Sequence, residues 1–458
     1  MRRQIRESAA RFTRSSILLL CFVFLIVTAL HSVAIGTETL TLAGAINAAL
    51  ENNYELKSMK NSVLAQKAEI GIARSAFLPK ITFEERVSRT NNPPQAFMMK
   101  LNQERFSQDD FILDHLNNPR PVNDYQTAFF IEQPVLSVQS FWRLSQANSM
   151  HNASISDFSR KKEEIVFKIV EAYLSLDTAR QYRAVSFQGL EDAREHLRVA
   201  QVRYNNNVGL YSDVLRAETA VAEAQQVLVT AEKNHSIAKS WLGVLLATSE
   251  DIDIADEHLS FDVKQLDFYQ HNSFLRQDIS ALRARYEAAK KEVKAAEASY
   301  FPYVGFGGSY YMNDHRTILG SEGTSWQISA FLRWNIFDGF KRESERLKAN
   351  YQSDQIKENL NNMHNLVLFG IREAYLTVEE TRKNADLAGS SLATAEEGKR
   401  LVESRYRNSL SPFIDLLDVQ FSANRARATL IARRNAHNLA VAKLMYESGT
   451  ILKELNVD

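Results

Sequence analysis

Two stretches of this chain repeat each other at one fixed distance. Glu171-Ala172-Tyr173-Leu174 returns as Glu373-Ala374-Tyr375-Leu376, and Arg203-Tyr204, Asn206, Asp213 and Leu215 return as Arg405-Tyr406, Asn408, Asp415 and Leu417, every pair 202 positions apart. One residue inserted into a packed helix turns every later side chain by about 100°. An offset that never drifts therefore predicts two copies of one long helical unit.

The punctuation agrees. The prolines are at 79, 93, 94, 119, 121, 134, 302 and 412, so 135–301 and 303–411 contain none, and this sequence is rich in alanine and charge. Such composition over such length predicts very long helices. Leu275, Ile279, Leu282, Tyr286, Ala289, Val293, Ala296 and Tyr300 step by 4 and 3 in a heptad seam. A softer seam, Leu56, Met59, Val63, Gln66, Ile70, Ala73 and Phe77, lies 223 positions upstream of its partner. The offset falls from 223 to 202 between these landmarks, which assigns the first copy an insert of 21 residues near 90–122. With four of the eight prolines, the insert reads as an exposed loop.

Each seam stops at a proline, Leu78-Pro79 or Phe301-Pro302, and the period then becomes 2. Ile81, Phe83 and Val87 alternate with Thr82, Glu84, Arg86 and Ser88, while Trp326, Ile328, Ala330, Leu332 and Trp334 alternate with Ser325, Gln327, Ser329 and Arg333. Residues 125–132 and 304–310 supply two more strands, giving hairpins over about 80–132 and 303–334. A strand with one apolar face and tryptophans Trp326 and Trp334 near its ends fits a membrane β-strand with its aromatic girdle. A half-buried soluble sheet is the alternative for the same alternation. Four membrane strands cannot close a barrel alone, because open edges in lipid leave backbone groups unpaired.

After each hairpin comes the longest helix, from Gln139 to Tyr204 and from about Phe340 to Tyr406, then a turn and a return helix from Ser212 and from Phe413. Gly209 suits a left-handed helix stop, and Ser411-Pro412 suits an N-cap with proline in the first turn.

Residues 2–14 carry five Arg against one Glu, and 17–30 is apolar apart from Thr28. This predicts a secretory signal over 1–34 with cleavage near Ser32-Val33-Ala34; a membrane anchor is the alternative. Cys21, the only cysteine, lies within it, so the remainder has no thiol to form a disulfide. The remainder also carries four net negative charges and gives no reason to expect nucleic acid. Nothing in it approaches 18 consecutive apolar residues, so a membrane crossing would need strands. The resulting division is repeat 1 over 35–249, an acidic connector over 250–272 that reads as solvated, and repeat 2 over 273–458.

The order of helix, hairpin, very long helix, turn and return helix, twice behind a leader, resembles the TolC family of outer-membrane efflux and secretion channels. The paired Leu-Pro and Phe-Pro helix ends, Asn335-Ile336-Phe337-Asp338-Gly339, the Glu-Ala-Tyr-Leu tetrads and Val208-Gly209-Leu210 carry the likeness. It implies a mainly α protein with a membrane β portion: a homotrimer in which four strands per chain complete a twelve-stranded β-barrel, continued through the periplasm as an α-barrel. It also implies a passive conduit in outer-membrane lipid, opened by a periplasmic adaptor and an inner-membrane pump of an efflux or type I secretion system.

The resemblance extends to particular residues. Asp415 and Asp418 match an Asp-x-x-Asp pair that rings the periplasmic constriction, where stacked carboxylates would focus cations. Acids near a helix N-terminus also suit its dipole, which is the alternative reading. Tyr406 and Asp213 match a latch between helix pairs, although Ser411 stands where the better-known members have Arg. Val208, Gly209 and Leu210 match the turn offered to the adaptor.

No catalytic residue, metal site or cofactor is expected. The ten histidines show no i, i+4 pairing, and neither a phosphate-binding glycine loop nor a nucleophile elbow is present. The rival function is a periplasmic coiled-coil adaptor or scaffold, which also uses long antiparallel helices but has no use for strands bounded by tryptophan.

Overall fold

The breaks between helices fall where turn chemistry puts them. The computed structural model describes residues 39–248, 252–257 and 259–457. The expected leader and its cleavage site lie outside these, as do Glu250 and Asp251. The first half runs α1 (Leu42–Asn52), α2 (Tyr54–Ser75), β1 (Lys80–Thr90), α3 (Pro93–Asn102), a 3-10 turn (Gln108–Phe111), α4 (Leu113–Asn117), β2 (Val122–Leu136), α5 (Val138–Asn205) and α6 (Tyr211–Leu246). The second runs α7 (Leu266–Ser273), α8 (Gln277–Ala298), β3 (Tyr303–Asp314), β4 (Gly323–Arg333), α9 (Lys341–Arg407), α10 (Phe413–Ser448) and α11 (Ile451–Glu454).

Helices α5 and α9 have 68 and 67 residues, about 100 Å each at about 1.5 Å per residue. Helices α6 and α10 have 36 residues apiece and return along only the distal half. The proximal half is flanked instead by α2 and α8, as the bond from Lys291 Nζ to Ser149 Oγ at 2.6 Å shows for α8 on α5. Each stage is therefore four helices wide. Where the stages meet, Ile165, Ile169, Tyr173, Leu242, Ile371 and Val441 pack into the main core.

This waist also holds a charge network. Arg160 donates to Glu163 at 2.6 Å and to the Tyr446 carbonyl at 2.9 Å, and its guanidinium lies 3.8 Å from the Tyr446 ring centroid. Arg276 binds Asp278 and the Glu447 carbonyl.

The four strands form one antiparallel sheet in the order β1-β2-β3-β4, leaving β1 and β4 as open edges. Register puts Ile81 beside Ile131, Ile131 beside Gly308 and Gly308 beside Ile328, so one face gathers Ile81, Phe83, Phe129, Tyr310, Trp326 and Ile328. All six are exposed. The other face carries Glu84, Arg86, Gln126, Asn313, Ser325 and Gln327.

Several sequence expectations need correction. The seam on α2 is its packed face, but on α8 only Ile279 of the seam is buried, beside Ala281, Ala288, Ala295 and Ala298, while Leu282, Tyr286, Ala289, Val293 and Ala296 stay half-buried. Alanines allow close helix approach, so the bulky stripe is left beside the intrachain contact. The insert is no loose loop: Asn92 caps α3 at Gln95 N, Pro93 and Pro94 occupy its first turn, and Gln103 is fully buried. The acidic connector is also more than a solvated spacer. Ile252 and Ile254 are buried, Leu40 bridges Ile254, and the Tyr173 hydroxyl donates to the Leu40 carbonyl at 3.1 Å.

Candidate functional site

At the distal tip α5 and α9 end in the same way. Val208 N donates to the Arg203 carbonyl at 2.9 Å, and Leu410 N to the Arg405 carbonyl at 2.8 Å. Each turn contains one left-handed residue, Asn207 at φ 60° and Ser409 at φ 60°. Thus the left-handed stop is Asn207, which tolerates it through its short polar side chain, and not Gly209. Gly209 is needed for a close approach: a Cβ there would lie 2.9 Å from Arg203 Cβ and 3.1 Å from Tyr204 N. The position 202 residues later is Ser411, whose hydroxyl donates to Asp415 Oδ2 at 3.0 Å. Ser411 is accordingly no N-cap; α10 starts at Phe413 behind Pro412.

A small separate core ties the four helix ends together. It consists of Ala200 from α5, Val214 and Ala217 from α6, Tyr406 from α9, and Phe413 and Leu416 from α10. The Tyr406 and Phe413 rings sit 5.6 Å apart. The Arg203 guanidinium lies 4.9 Å from the Tyr406 ring centroid and donates to the Tyr406 carbonyl at 3.1 Å and to Ser409 Oγ at 3.0 Å. Among the described residues its repeat partner Arg405 reaches only Leu410 O, in its own turn. Arg203 is thus the cross-hairpin strap that sequence reasoning missed; the repeated Arg-Tyr pairs were visible, but not which pair would cross.

Asp213 is half-buried on α6 and acts on Tyr406 through charge. Burial pushes the Tyr406 phenol above its ordinary range; Arg203 opposes this and Asp213 adds to it. Among the described residues Tyr406 is held by ring packing and Arg203, not by a bond from its hydroxyl to Asp213.

Above this core, Asp192 of α5 accepts from Gln188 at 2.9 Å, Lys399 of α9 at 3.0 Å and Gln420 of α10 at 2.8 Å. Burial works to raise the Asp192 carboxyl, but these donors and the Lys399 charge hold it below its ordinary value. Among the described residues no group in good hydrogen-bond geometry reaches the buried His196 Nε2 or Gln420 Oε1. Burial depresses the His196 pKa; the neighbouring Gln420 side chain and the charges of Asp192 and Glu403 oppose this, and Lys399 adds to it. A cavity of about 800 Å³ lies between α5, α6 and α10, lined by His196, Leu417, Asp418, Gln420 and Phe421 among others. The two aspartates expected to act together therefore differ in setting: Asp418 is exposed on the cavity wall, whereas Asp415 is half-buried and engaged by Ser411.

The turn residues Val208 and Leu210 project into solvent. At the proximal end Trp326 is exposed on the apolar sheet face, and Trp334, one residue beyond β4, donates its indole N–H to the Tyr300 carbonyl at 3.0 Å. Among the described residues Asp314, His315 and Glu322 are the grouping with metal-ligand character. These residues instead shape the β3–β4 turn: Asp314 accepts from Arg316 N at 2.6 Å and Thr317 N at 3.1 Å, and His315 contacts Glu322.

The outer membrane efflux protein family matches residues 45–248 and 274–450. The chain belongs to that family. Among relatives similar to this outer membrane efflux protein is outer membrane efflux protein BepC of Brucella suis, 23% identical and covering 88% of this chain and 83% of that protein. Another is alkaline protease secretion protein AprF of Pseudomonas aeruginosa, 20% identical and covering 90% and 85%. Of solved structures, the Campylobacter jejuni CmeC outer membrane channel aligns with a TM-score of 0.74 at 18% identity, covering 90% of this chain and 86% of that one. The open-state Neisseria gonorrhoeae MtrE channel aligns with a TM-score of 0.73 at 17% identity, covering 90% and 89%. The efflux protein is an outer-membrane channel component reaching into the periplasm, built of long helices with a β portion, and the adaptor reading falls away. Its family is one of conduits.

Proposed function

We propose that three copies close one twelve-stranded barrel in outer-membrane lipid and one helical tube beneath it, forming a passive conduit that an adaptor and an inner-membrane pump recruit. The sheet carries this reading: its apolar face is bare, and each outer strand has one edge without a partner among the described residues. In hydrocarbon each unsatisfied backbone group costs several kcal/mol, so β4 of one copy must pair with β1 of the next. The half-buried stripe on α8 supports it, since Leu282, Tyr286 and Val293 offer a second packing face beside the alanine one.

Within that trimer Asp415 and Asp418 line the periplasmic constriction as two rings of carboxylates. Tyr406 and Asp213, with Arg203 added, latch the α9–α10 hairpin to α5–α6. Val208-Gly209-Leu210 presents two exposed apolar side chains on a tightly folded turn, which suits docking by a helical adaptor tip. Relatives are named for alkaline protease secretion and for toxin and drug export, so cargo passes unmodified and the pump supplies energy and selectivity. The leader over 1–34 would direct export of the chain, and 250–272 would join two equivalent halves, 35–249 and 273–458.

Native mass measurement of detergent-purified protein is expected to give three chains per particle; a stable single chain would overturn the reading. In planar bilayers the channel is expected to be cation-selective and blocked by divalent cations. Asp415→Asn with Asp418→Asn should abolish both properties, and their survival would remove the ring assignment.

A further inference from the structure

We propose that the chain carries a second closure at the end of the conduit opposite the tip: the segment between β1 and β2 is a cap, and three copies meet over the barrel mouth. This rests on the trimeric reading above.

The position of the cap follows from the sheet faces. A Cβ on Gly323 would lie 2.1 Å from the Asn102 carbonyl oxygen, so the end of α3 sits on the side to which a Gly323 side chain would point. Gly323 lies opposite Asn313 and shares its side with Ser325 and Gln327. That is the polar face, away from Trp326 and Ile328. The fastening is polar and buried: Gln103 Nε2 donates to Asp124 Oδ1 at 2.7 Å and to the Asn123 carbonyl at 2.8 Å, and Asn313 Nδ2 donates to Asp124 Oδ2 at 3.0 Å. Asp124 and Asn313 occupy the same face at the ends of β2 and β3 remote from the helices. Lipid must wet the apolar face, so the cap hangs on the pore side.

The cap is a folded unit. Phe97, Phe106 and Phe111 stack edge to face with centroids 4.7 and 5.1 Å apart, and Lys100 pairs with Asp110. Yet it turns apolar groups outward: Phe111 is 65% exposed, Ile112 51%, Leu113 73% and Met98 53%. A second copy is the occupant that fits them. Twelve strands about 4.8 Å apart tilted by about 40° enclose a backbone diameter of about 24 Å, whereas a helix with its side chains is about 10 Å wide. Three caps on the pore side of that rim cannot avoid one another. Their bare apolar side chains would form a seam on the three-fold axis, shutting the extracellular mouth independently of the periplasmic tip.

The test starts from Cys21→Ser, which removes the chain's own cysteine, and adds Leu113→Cys. After native mass measurement has counted the chains, a short bis-maleimide should convert most of the Leu113→Cys protein to covalent dimer, and the same should hold for Met98→Cys. Ile328→Cys on the lipid face should stay monomeric on a denaturing gel. A three-chain particle in which Leu113→Cys and Met98→Cys behave like Ile328→Cys overturns the cap seam and leaves the trimer standing. A one-chain particle overturns both. In bilayers, Phe111→Asp with Leu113→Asp, placed in an Arg203→Ala background that loosens the tip, should raise single-channel conductance several-fold over Arg203→Ala alone. Equal conductance would defeat the proposal.

Discussion

The waist and the tip are made from the same helices, yet they are held in different ways. At the waist, α1, α5, α6, α9 and α10 bury large side chains such as Ile165, Ile169, Tyr173 and Leu242, and the buried Glu163 is neutralised by Arg160. Toward the tip, six buried side chains, two of them alanines, one arginine strap and the Asp192 bonds to Lys399 and Gln420 join the hairpins. Burial scales with apolar area at about 25 cal/mol per Å², so the waist is held together more firmly than the tip. If the tip is the proposed gate, one continuous helix would serve as a fixed collar at one level and a shutter about 30 residues further on, roughly 45 Å away at about 1.5 Å per residue.

That contrast can be broken at the waist first. Arg160→Ala removes the hydrogen-bonded counter-charge of the buried Glu163, leaving only the more distant Arg276, which should cost about 3–5 kcal/mol, read as a large drop in thermal unfolding temperature in detergent. Burial already raises the Glu163 carboxyl above its ordinary value. The folded variant therefore takes up a proton more readily than the unfolded chain, and its stability should recover as pH falls; Glu163→Gln should rescue it at neutral pH. Flat pH dependence and no rescue would show that the network is not electrostatic.

At the tip, Tyr406→Ala should remove about 2–4 kcal/mol from the closed arrangement, raising basal conductance while global unfolding hardly moves. A matching loss of global stability would mean the two levels are one cooperative unit. Arg203→Ala should act in the same direction with about 1–2 kcal/mol. Arg203→Lys should not restore closure, because an ammonium cannot bridge a carbonyl and a hydroxyl while lying flat on a ring.

The smallest effect concerns His196. Its pKa is depressed in the fold by burial, so below its ordinary value of 6.5 the separated state takes up more protons than the closed one. On the proposed gating, the His196 contribution to closure is therefore full above that pH and is lost as pH falls from there through the depressed folded value. His196→Gln should flatten the pH dependence of conductance between about pH 5 and 7. An unchanged profile would assign the titration elsewhere.

Much of the architecture was legible because helix length is written in what interrupts it. With no proline between 135 and 301, α5 was expected from Gln139 to Tyr204 and runs from Val138 to Asn205. The strands were legible from their period, since Trp326, Ile328 and Leu332 could share a face only in extended chain. The cap was not, because Pro93 and Pro94 look like loop residues unless the preceding Asn92 is read as their helix cap. The connector misled for a related reason: Ile252 and Ile254 are hidden among acids, and their burial depends on a bridge to Leu40 more than 200 positions away. Arg203 was out of reach for a third reason. Duplication makes Arg203 and Arg405 look equivalent, and only the packing of one hairpin on the other separates them.

The bare sheet has a consequence for the life of the molecule before assembly. On the proposed assembly, a copy that has not yet met its partners would carry Trp326, Ile328, Leu332 and two unsatisfied strand margins through water, in the form most prone to stick to whatever strand it meets first. Such a copy would be safe only while something shields its hairpins, and an excess of unshielded copies should poison the envelope by aggregation well before any shortage of channels is felt.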